Sequence, residues 1–346
     1  MRIVFTLFTI VLLAFGHSNV YGQKKFELED YGKFVNITDP QISPDGKSVI
    51  IVVSRPDYLL NRYNAELVLV DVASGKKRTL TTQDRFSVSS PRWSPNGEQV
   101  AFISKSGQGK EALNQIFALS MFGGEAKQIT KTAKGVQHFA WSPNSVDIAY
   151  ATLNEPKNKA EIEKGYTAFE ITNNDMFVGS QPLPAHIWLA NTTTAENKRL
   201  TDGDWTLPLV IPPSAPSSPF SWSPDGKTIL FVKVATAYSG DGMLRSIQLL
   251  NVADGTYKPL TTRTKFEGYP CFSPDGSKIS YWMKKDNMNE SINELWVTTA
   301  NNEGKVISTQ LNRDLFLSAW LPDNKSFLVG AHNDNKTSMW SINLEG

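Results

Sequence analysis

A bulky apolar residue, then Ser-Pro-Asp-Gly or a close variant, then a run of β-forming residues: this pattern occurs six times in the chain. It reads Ile42-Ser43-Pro44-Asp45-Gly46, Trp93-Ser94-Pro95-Asn96-Gly97, Trp141-Ser142-Pro143-Asn144-Ser145, Trp222-Ser223-Pro224-Asp225-Gly226, Phe272-Ser273-Pro274-Asp275-Gly276 and Trp320-Leu321-Pro322-Asp323-Asn324. Counted from the residue before each Pro, successive copies lie 51, 48, 81, 50 and 48 residues apart. A period of about 40–50 residues with short strands is the signature of a β-propeller, one copy per blade. The expected fold class is therefore all-β: a propeller of six recognisable blades, each of four antiparallel strands. A propeller hosts many unrelated activities, so function has to be sought in particular residues.

The fourth copy shows how a blade is encoded. In Ser223-Pro224-Asp225-Gly226, Pro presets the backbone at the second turn position, Asp hydrogen-bonds locally and Gly relieves the exit. Thr228 to Val232 is a near-continuous apolar run, expected of a strand buried on both faces. Ser246 to Asn251 reads as the third strand, Asp254-Gly255 as a hairpin turn, and Tyr257 to Thr261 as an outer strand that tolerates Pro259 at its edge. Third strands recur at Glu66–Val70, Gln115–Leu119, His186–Ala190, Glu294–Thr298 and Ser338–Ile342, and outer strands end in Leu80-Thr81, Ile129-Thr130 and Leu200-Thr201. The Trp or Phe before each turn is expected to pack between blades. The sixth copy lacks an outer strand. Val35-Asn36-Ile37-Thr38-Asp39 has the shape of Lys198-Arg199-Leu200-Thr201-Asp202, so this N-terminal strand can close the last blade; the competing reading is a fragment from which further blades are missing.

The first residues read as a targeting segment. Met1-Arg2 is a positive start, Ile3 to Phe15 is largely apolar and too short to span a bilayer comfortably, and cleavage is expected after Gly22. The expected organisation is a signal peptide over 1–22 and a propeller over 23–346, the protein being exported to the periplasm or secreted with no membrane anchor left. Cys271 is the single cysteine, so no disulfide forms within the chain, and its place in an inner strand suggests a buried, inert thiol. A formal charge of +1 supplies no global field for nucleic acid.

The 81-residue step carries about 33 extra residues, which fall over 154–185 inside blade three. Long loops on rigid scaffolds often carry function, and this one should form the rim of the functional face. Within it Glu163, Glu170 and Asp175 are candidate substrate-binding residues, able to meet the charged amino terminus of a peptide. A Pro-rich stretch from Pro208 to Pro219 reads as an extended crossing into blade four.

No catalytic constellation is legible. Gly-x-Ser-x-Gly is absent, and His138, His186 and His332 each stand in or beside a predicted strand, none paired at metal-ligand spacing. Gly107-Gln108-Gly109-Lys110 is a polar tip rather than a phosphate loop, and the Asp-Gly pairs serve turns rather than calcium. No catalytic residue, metal or cofactor is assigned.

The Ser-Pro-Asp-Gly-Lys turn followed by Ile-x-Phe, with a Leu-Thr-ending outer strand, resembles the TolB-like propeller repeat. The entry Phe26-Glu27-Leu28-Glu29-Asp30-Tyr31-Gly32-Lys33-Phe34-Val35 through Ser43-Pro44-Asp45-Gly46 is similar to the start of prolyl oligopeptidase family enzymes. So are the insertion Ala168-Phe169-Glu170-Ile171-Thr172-Asn173-Asn174-Asp175 leading to His186-Ile187-Trp188-Leu189, and the run from Arg199-Leu200-Thr201 through Pro212-Pro213 to Trp222-Ser223-Pro224-Asp225-Gly226-Lys227. The resemblance is to the acylaminoacyl and dipeptidyl peptidase branch, in which a propeller precedes an α/β-hydrolase domain carrying Ser, Asp and His and filters peptide substrates. This sequence has no hydrolase domain, so the resemblance implies a gating and docking role, with a peptide substrate or protein partner and a missing or separate α/β-hydrolase domain. The alternative is a stand-alone exported propeller that binds a protein, peptide or glycan.

Overall fold

A computed structural model describes residues 25–81, 87–107, 111–171, 181–208, 220–261, 266–299 and 304–345. The expected signal segment, Asp175 and most of the Pro-rich crossing lie outside them.

The described strands form six sheets. Blade one is β1 (Asn36–Ile42), β2 (Ser48–Asp57), β3 (Arg62–Asp71) and β4 (Lys77–Thr79), and blade two is β5 (Val88–Trp93), β6 (Gln99–Ser106), β7 (Leu113–Ser120) and β8 (Lys127–Gln128). Blade three is β9 (Val136–Trp141), β10 (Asp147–Leu153), β11 (Ala185–Asn191) and β12 (Asn197–Arg199). Blade four is β13 (Ser221–Trp222), β14 (Thr228–Val234), β15 (Arg245–Asn251) and β16 (Tyr257–Pro259). Blade five is β17 (Gly268–Phe272), β18 (Ile279–Lys284), β19 (Asn293–Thr298) and β20 (Lys305–Val306), and blade six is β21 (Leu315–Trp320), β22 (Ser326–Asn333) and β23 (Lys336–Asn343). Strands follow one another in sequence order across every sheet and pair antiparallel. The six-bladed architecture read from the repeat is the one observed.

Each turn is built as its residues dictate. In the first, the Ser43 hydroxyl donates to Asp45 Oδ1 at 2.6 Å, and the N–H groups of Lys47 and Ser48 donate to Asp45 Oδ1 and Ser43 Oγ at 3.1 and 2.9 Å. Gly46 closes the turn at φ +73°, a left-handed angle that glycine adopts without steric cost. The same contacts recur around Ser223 and Asp225, and around Ser273 and Asp275. The Ser273 hydroxyl and the Ser277 N–H and hydroxyl stabilise the charged Asp275 carboxylate and bring its pKa down to about 2.

The core is distributed between blades. Five buried clusters each straddle one consecutive pair, from blades one and two through blades five and six. Trp93, Trp141, Trp222, Phe272 and Trp320 lie in or against these clusters, as expected. The Trp residues also do something the sequence does not announce. Each Nε1–H donates to a carbonyl in the first strand of the preceding blade: Trp93 to Gln41 at 3.0 Å, Trp141 to Arg92 at 3.0 Å, Trp222 to Ala140 at 3.4 Å and Trp320 to Cys271 at 3.4 Å. The amphipathic indole thus fills the apolar gap and satisfies a backbone acceptor together.

Among the described residues no buried cluster joins blade six to blade one. Ile37 and Ile42 on β1 are accordingly 64% and 65% exposed, whereas Val88, which takes the place of Ile37 in blade two, is 3% exposed. The N-terminal stretch does not complete blade six. Asn36, Ile37 and Thr38 pair with Ser54, Val53 and Val52 as the first strand of blade one, and β23 is the outer described strand of a three-stranded sheet. The strand-forming pattern of Val35 to Asp39 fits either place, and continuity with the turn at Ser43 draws it into blade one.

Candidate functional site

Five of the six first strands depart from regular pairing. Bulges interrupt the ladder between Thr38 and Gln41, Ser89 and Arg92, Gly268 and Cys271, and Leu315 and Leu317, and Gln137 is the extra residue on β9. In three of them a residue at positive φ is followed by Pro: Asp39 (φ 48°), Ser90 (φ 53°) and Tyr269 (φ 51°). A bulge leaves a residue out of the ladder, so the missing proline N–H does no harm there, and the strand is re-aimed. At the bulged ends of β1 and β5 Arg92 Nη1 lies 3.0 and 2.9 Å from the two Asp39 oxygens, and Gln41 Nε2 donates to Asp39 at 2.7 Å. These residues tie blade one to blade two.

The blade-three insertion opens on the side of these bulged ends. Val136, at the entry of β9, pairs with Thr152, one residue before β10 ends at Leu153. The neck is pinned where the Asn154 N–H donates to the Pro184 carbonyl at 2.8 Å. Beyond it the described residues make a short helix, α1 (Lys159–Glu163), then a turn and a stretch without regular secondary structure. Lys159 Nζ lies 2.9 Å from Glu155 Oε1, which holds the ammonium above its ordinary pKa.

At the foot of the insertion is a recess of about 620 Å³. Its aromatic wall is Trp188, stacked on Tyr150 at 6.4 Å with the Arg199 guanidinium 5.8 Å over the ring. The Tyr150 hydroxyl donates to Asn197 at 2.8 Å, and burial pushes this phenol up. Arg199 Nη2 donates to Asn154 at 3.0 Å and to Asp202 at 2.6 Å. The Gly203 N–H, with Arg199 alongside, holds the Asp202 carboxyl below the usual carboxylate range. Lys131, Lys157 and Glu155 complete the charged lining. Both signs of charge beside an aromatic wall suit a zwitterionic or amide-bearing ligand.

The acidic residues singled out in sequence are not brought together here. Glu163 ends α1 and Glu170 follows it in a stretch without regular secondary structure, both exposed and neither lining the recess; Asp175 is outside the described residues. The carboxylates at the recess are Glu155 and Asp202. Glu155 stands in the charged start of the insertion and was within reach of sequence reasoning. Asp202, Arg199 and Trp188 belong to strands and turns that fold back on the neck, and nothing in their spacing marks them.

The histidines differ in their surroundings: His332 is exposed on β22, its ring 5.2 Å from that of Phe316. His186 is buried, with Nε2 3.0 Å from the Gly203 carbonyl and Nδ1 3.3 Å from the Thr201 hydroxyl. Since a carbonyl only accepts, Nε2 carries the proton and Nδ1 accepts from Thr201. Burial brings the pKa of His186 and of His138, whose ring lies 4.4 Å from Phe220, down to about 4. Cys271 departs from expectation. It is exposed on β17, because the bulge after Gly268 turns this strand, and its sulfur donates to the Phe272 carbonyl at 3.4 Å. Crowding around the sulfur nevertheless pushes the thiol pKa up, opposing the reactive thiolate. Among the described residues no group of three or more His, Cys, Asp or Glu is placed to hold a metal.

No protein-family model matches the chain. Its sequence is 26% identical over 334 residues to dipeptidyl-peptidase 5 of Porphyromonas gingivalis, covering 89% of this chain and 46% of that protein. It is 24% identical over 259 residues to the uncharacterized peptidase YuxL of Bacillus subtilis, covering 75% of this chain and 31% of that one. In shape it matches acylaminoacyl peptidase of Pyrococcus horikoshii with a TM-score of 0.66 at 15% identity, over 90% of this chain and 46% of that chain. It also matches the propeller domain of the Trilobed protease of Pyrococcus furiosus, described as having an open velcro topology, with a TM-score of 0.62 at 16% identity, over 90% and 81% of the two chains. The chain spans less than half the length of these two curated relatives. It is a six-bladed β-propeller, homologous to dipeptidyl-peptidase 5 and peptidase YuxL and shaped like the propeller of prolyl oligopeptidase-like proteases.

Proposed function

We propose that this propeller is the substrate-gating and docking part of an exported, prolyl oligopeptidase-like serine peptidase whose catalytic α/β-hydrolase part lies outside these 346 residues. The observation that carries the reading is the relation to dipeptidyl-peptidase 5, which runs along 89% of this chain yet accounts for only 46% of that protein. The peptide meets the face where the first strands begin and the insertion stands. Glu163, Glu170 and Asp175 attract its amino terminus from the rim, while Glu155, Asp202 and Arg199 line the recess at the foot of the insertion. Export places the protein in the periplasm or outside the cell.

The propeller by itself turns over no peptide in this reading, because no nucleophile elbow is present. Purified residues 23–346 should leave aminoacyl and dipeptidyl chromogenic substrates intact. Turnover abolished by a serine-directed inhibitor would show chemistry in the propeller and refute this. The nucleotide sequence beyond the Gly346 codon is the second test. Continuation, in frame or across one frameshift, into a reading frame with Gly-x-Ser-x-Gly supports the peptidase role. A stop followed by an unrelated gene overturns it in favour of a stand-alone binder.

A further inference from the structure

The second strands carry one charged side chain at a position that is uncharged in every other blade. Ten residues after the residue preceding each turn Pro stand Val53, Ser104, Thr152, Lys233, Met283 and Ala331. The five uncharged residues are buried, so the repeat itself requires no ammonium here. Lys233 lies on the side of β14 shared by Ile229 and Phe231, which faces blade three. Its Nζ is 5.6 Å from the ring of Trp205 and 5.4 Å from that of Tyr257. Both distances are within cation–π range, but aromatic rings supply no counter-charge. Among the described residues no carboxylate pairs with Lys233: Asp204, beside Trp205, turns to Lys157, and Asp241 in the loop after β14 receives the Thr236 hydroxyl.

The surroundings of this ammonium are fixed. Trp205 is buried, its ring 4.6 Å from His186, 5.4 Å from Phe231 and 5.5 Å from Tyr257. The next residue, Thr206, exchanges N–H and carbonyl hydrogen bonds with Val234 at 3.1 and 2.8 Å, which locks the indole beside the end of β14. Gly203 leaves room for it, since a Cβ there would stand 2.8 Å from Trp205 Cδ1. Lys233, Trp205, Ala235, Leu244 and Ser246 line a recess of about 420 Å³. Ser246 is the ladder partner of Lys233; its hydroxyl accepts from Gln248 Nε2 at 2.9 Å and keeps its own hydrogen to donate. Lys233 is the last residue but one of β14, and the insertion leaves blade three from the end of β10, so the recess lies towards the same side of the propeller as the insertion.

We propose that this recess between blades three and four is a docking subsite for the carboxyl-terminal residue of a peptide. Lys233 Nζ pairs with the terminal carboxylate, the Ser246 hydroxyl donates to it, and the residue's apolar side chain lies against Leu244 and Ala235. The subsite offers two donors and an ammonium without an acidic partner, which is complementary to a carboxylate and to no cationic group. The inference rests on the peptide-docking reading above and adds to it the end of the peptide that is held here.

Titration of the intact chain with N-acetyl-Ala-Ala-Leu, as the free acid and as the C-terminal amide, tests this by calorimetry. The acid should bind saturably and the amide at least about tenfold more weakly, since the amide brings no charge to Lys233. Lys233→Met keeps the apolar stem and should weaken the acid by at least about tenfold, whereas Lys233→Arg should retain it. Should Lys233→Met lose its fold, acetylation of Lys233 in the unaltered protein by acetic anhydride, followed by mass spectrometry, decides: the acid must protect this lysine and the amide must not. No saturable binding of the acid, equal binding of acid and amide, a Lys233→Met protein that binds as the wild type does, or equal affinity for an amidated peptide with an internal Glu would overturn the proposal. Any of these results alongside a Gly-x-Ser-x-Gly frame beyond Gly346 would remove the subsite and leave the peptidase reading in place.

Discussion

Thr201→Val isolates the hydroxyl that closes blade three. Valine keeps the shape of threonine and removes one oxygen, which accepts the Ile187 N–H at 2.9 Å and faces His186 Nδ1 at 3.3 Å. All three residues are buried, so water cannot replace it. An orphaned buried donor costs about 1–3 kcal/mol, and the unpaired imidazole nitrogen puts the change at the upper end, about 2–3 kcal/mol. For a propeller of this size that corresponds to a Tm lowered by roughly 3–5 °C. Thermal unfolding monitored by circular dichroism measures it, with Thr201→Ser as the control that keeps the oxygen and loses a methyl. In blade four the acceptor for Ile247 N–H is Glu267 instead, so Thr261→Val leaves that donor paired. A Thr201→Val protein that melts with the wild type, or a Thr201→Ser protein that falls equally far, would refute the hydroxyl argument and point to packing alone.

Stability should fall with acid before the carboxylates matter. His138 and His186 have folded pKa values near 4 against an ordinary 6.5, so as pH drops below 6.5 the unfolded chain takes up protons the folded one refuses. Up to roughly 3 kcal/mol per histidine is lost between pH 6.5 and 4, read as a falling urea midpoint; a midpoint flat across that range would contradict the burial argument. Replacing residues 156–183 by a short linker should leave the melting temperature within about 2 °C, because β10 and β11 keep their full register from Asp147–Asn191 to Leu153–Ala185 without it. Loss of cooperative unfolding would make the insertion structural cladding and remove Glu163, Glu170 and Asp175 from consideration as binding residues.

Local chemistry repeats along this chain, and what is local was legible in it. Ser-Pro-Asp-Gly specifies a turn from four residues, and the Ser43–Asp45 and Ser223–Asp225 contacts it predicts span two residues each. Near-continuous apolar runs such as Ile229 to Val232 mark strands buried on both faces, and four such residues are indeed at or below 1% exposure. Blade five's outer strand, Lys305–Val306, runs into Ile307-Ser308 and so lacks the apolar-Thr ending that marks the others in sequence. The strand pattern of Asn36 to Thr38 does not say which sheet it joins; the tertiary structure pairs it with Ser54, Val53 and Val52 of β2, next to the turn at Ser43. Tertiary structure also decided the site. Asn154 and Glu155 meet Trp188, Arg199 and Asp202 because β11 and β12 fold back antiparallel beside the neck of the insertion, and a juxtaposition across more than thirty residues of chain has no periodicity from which to read it. The bulge that exposes Cys271 is of the same kind: Pro270 permits it, but the two-against-one register with β18 exists only once the sheet has formed.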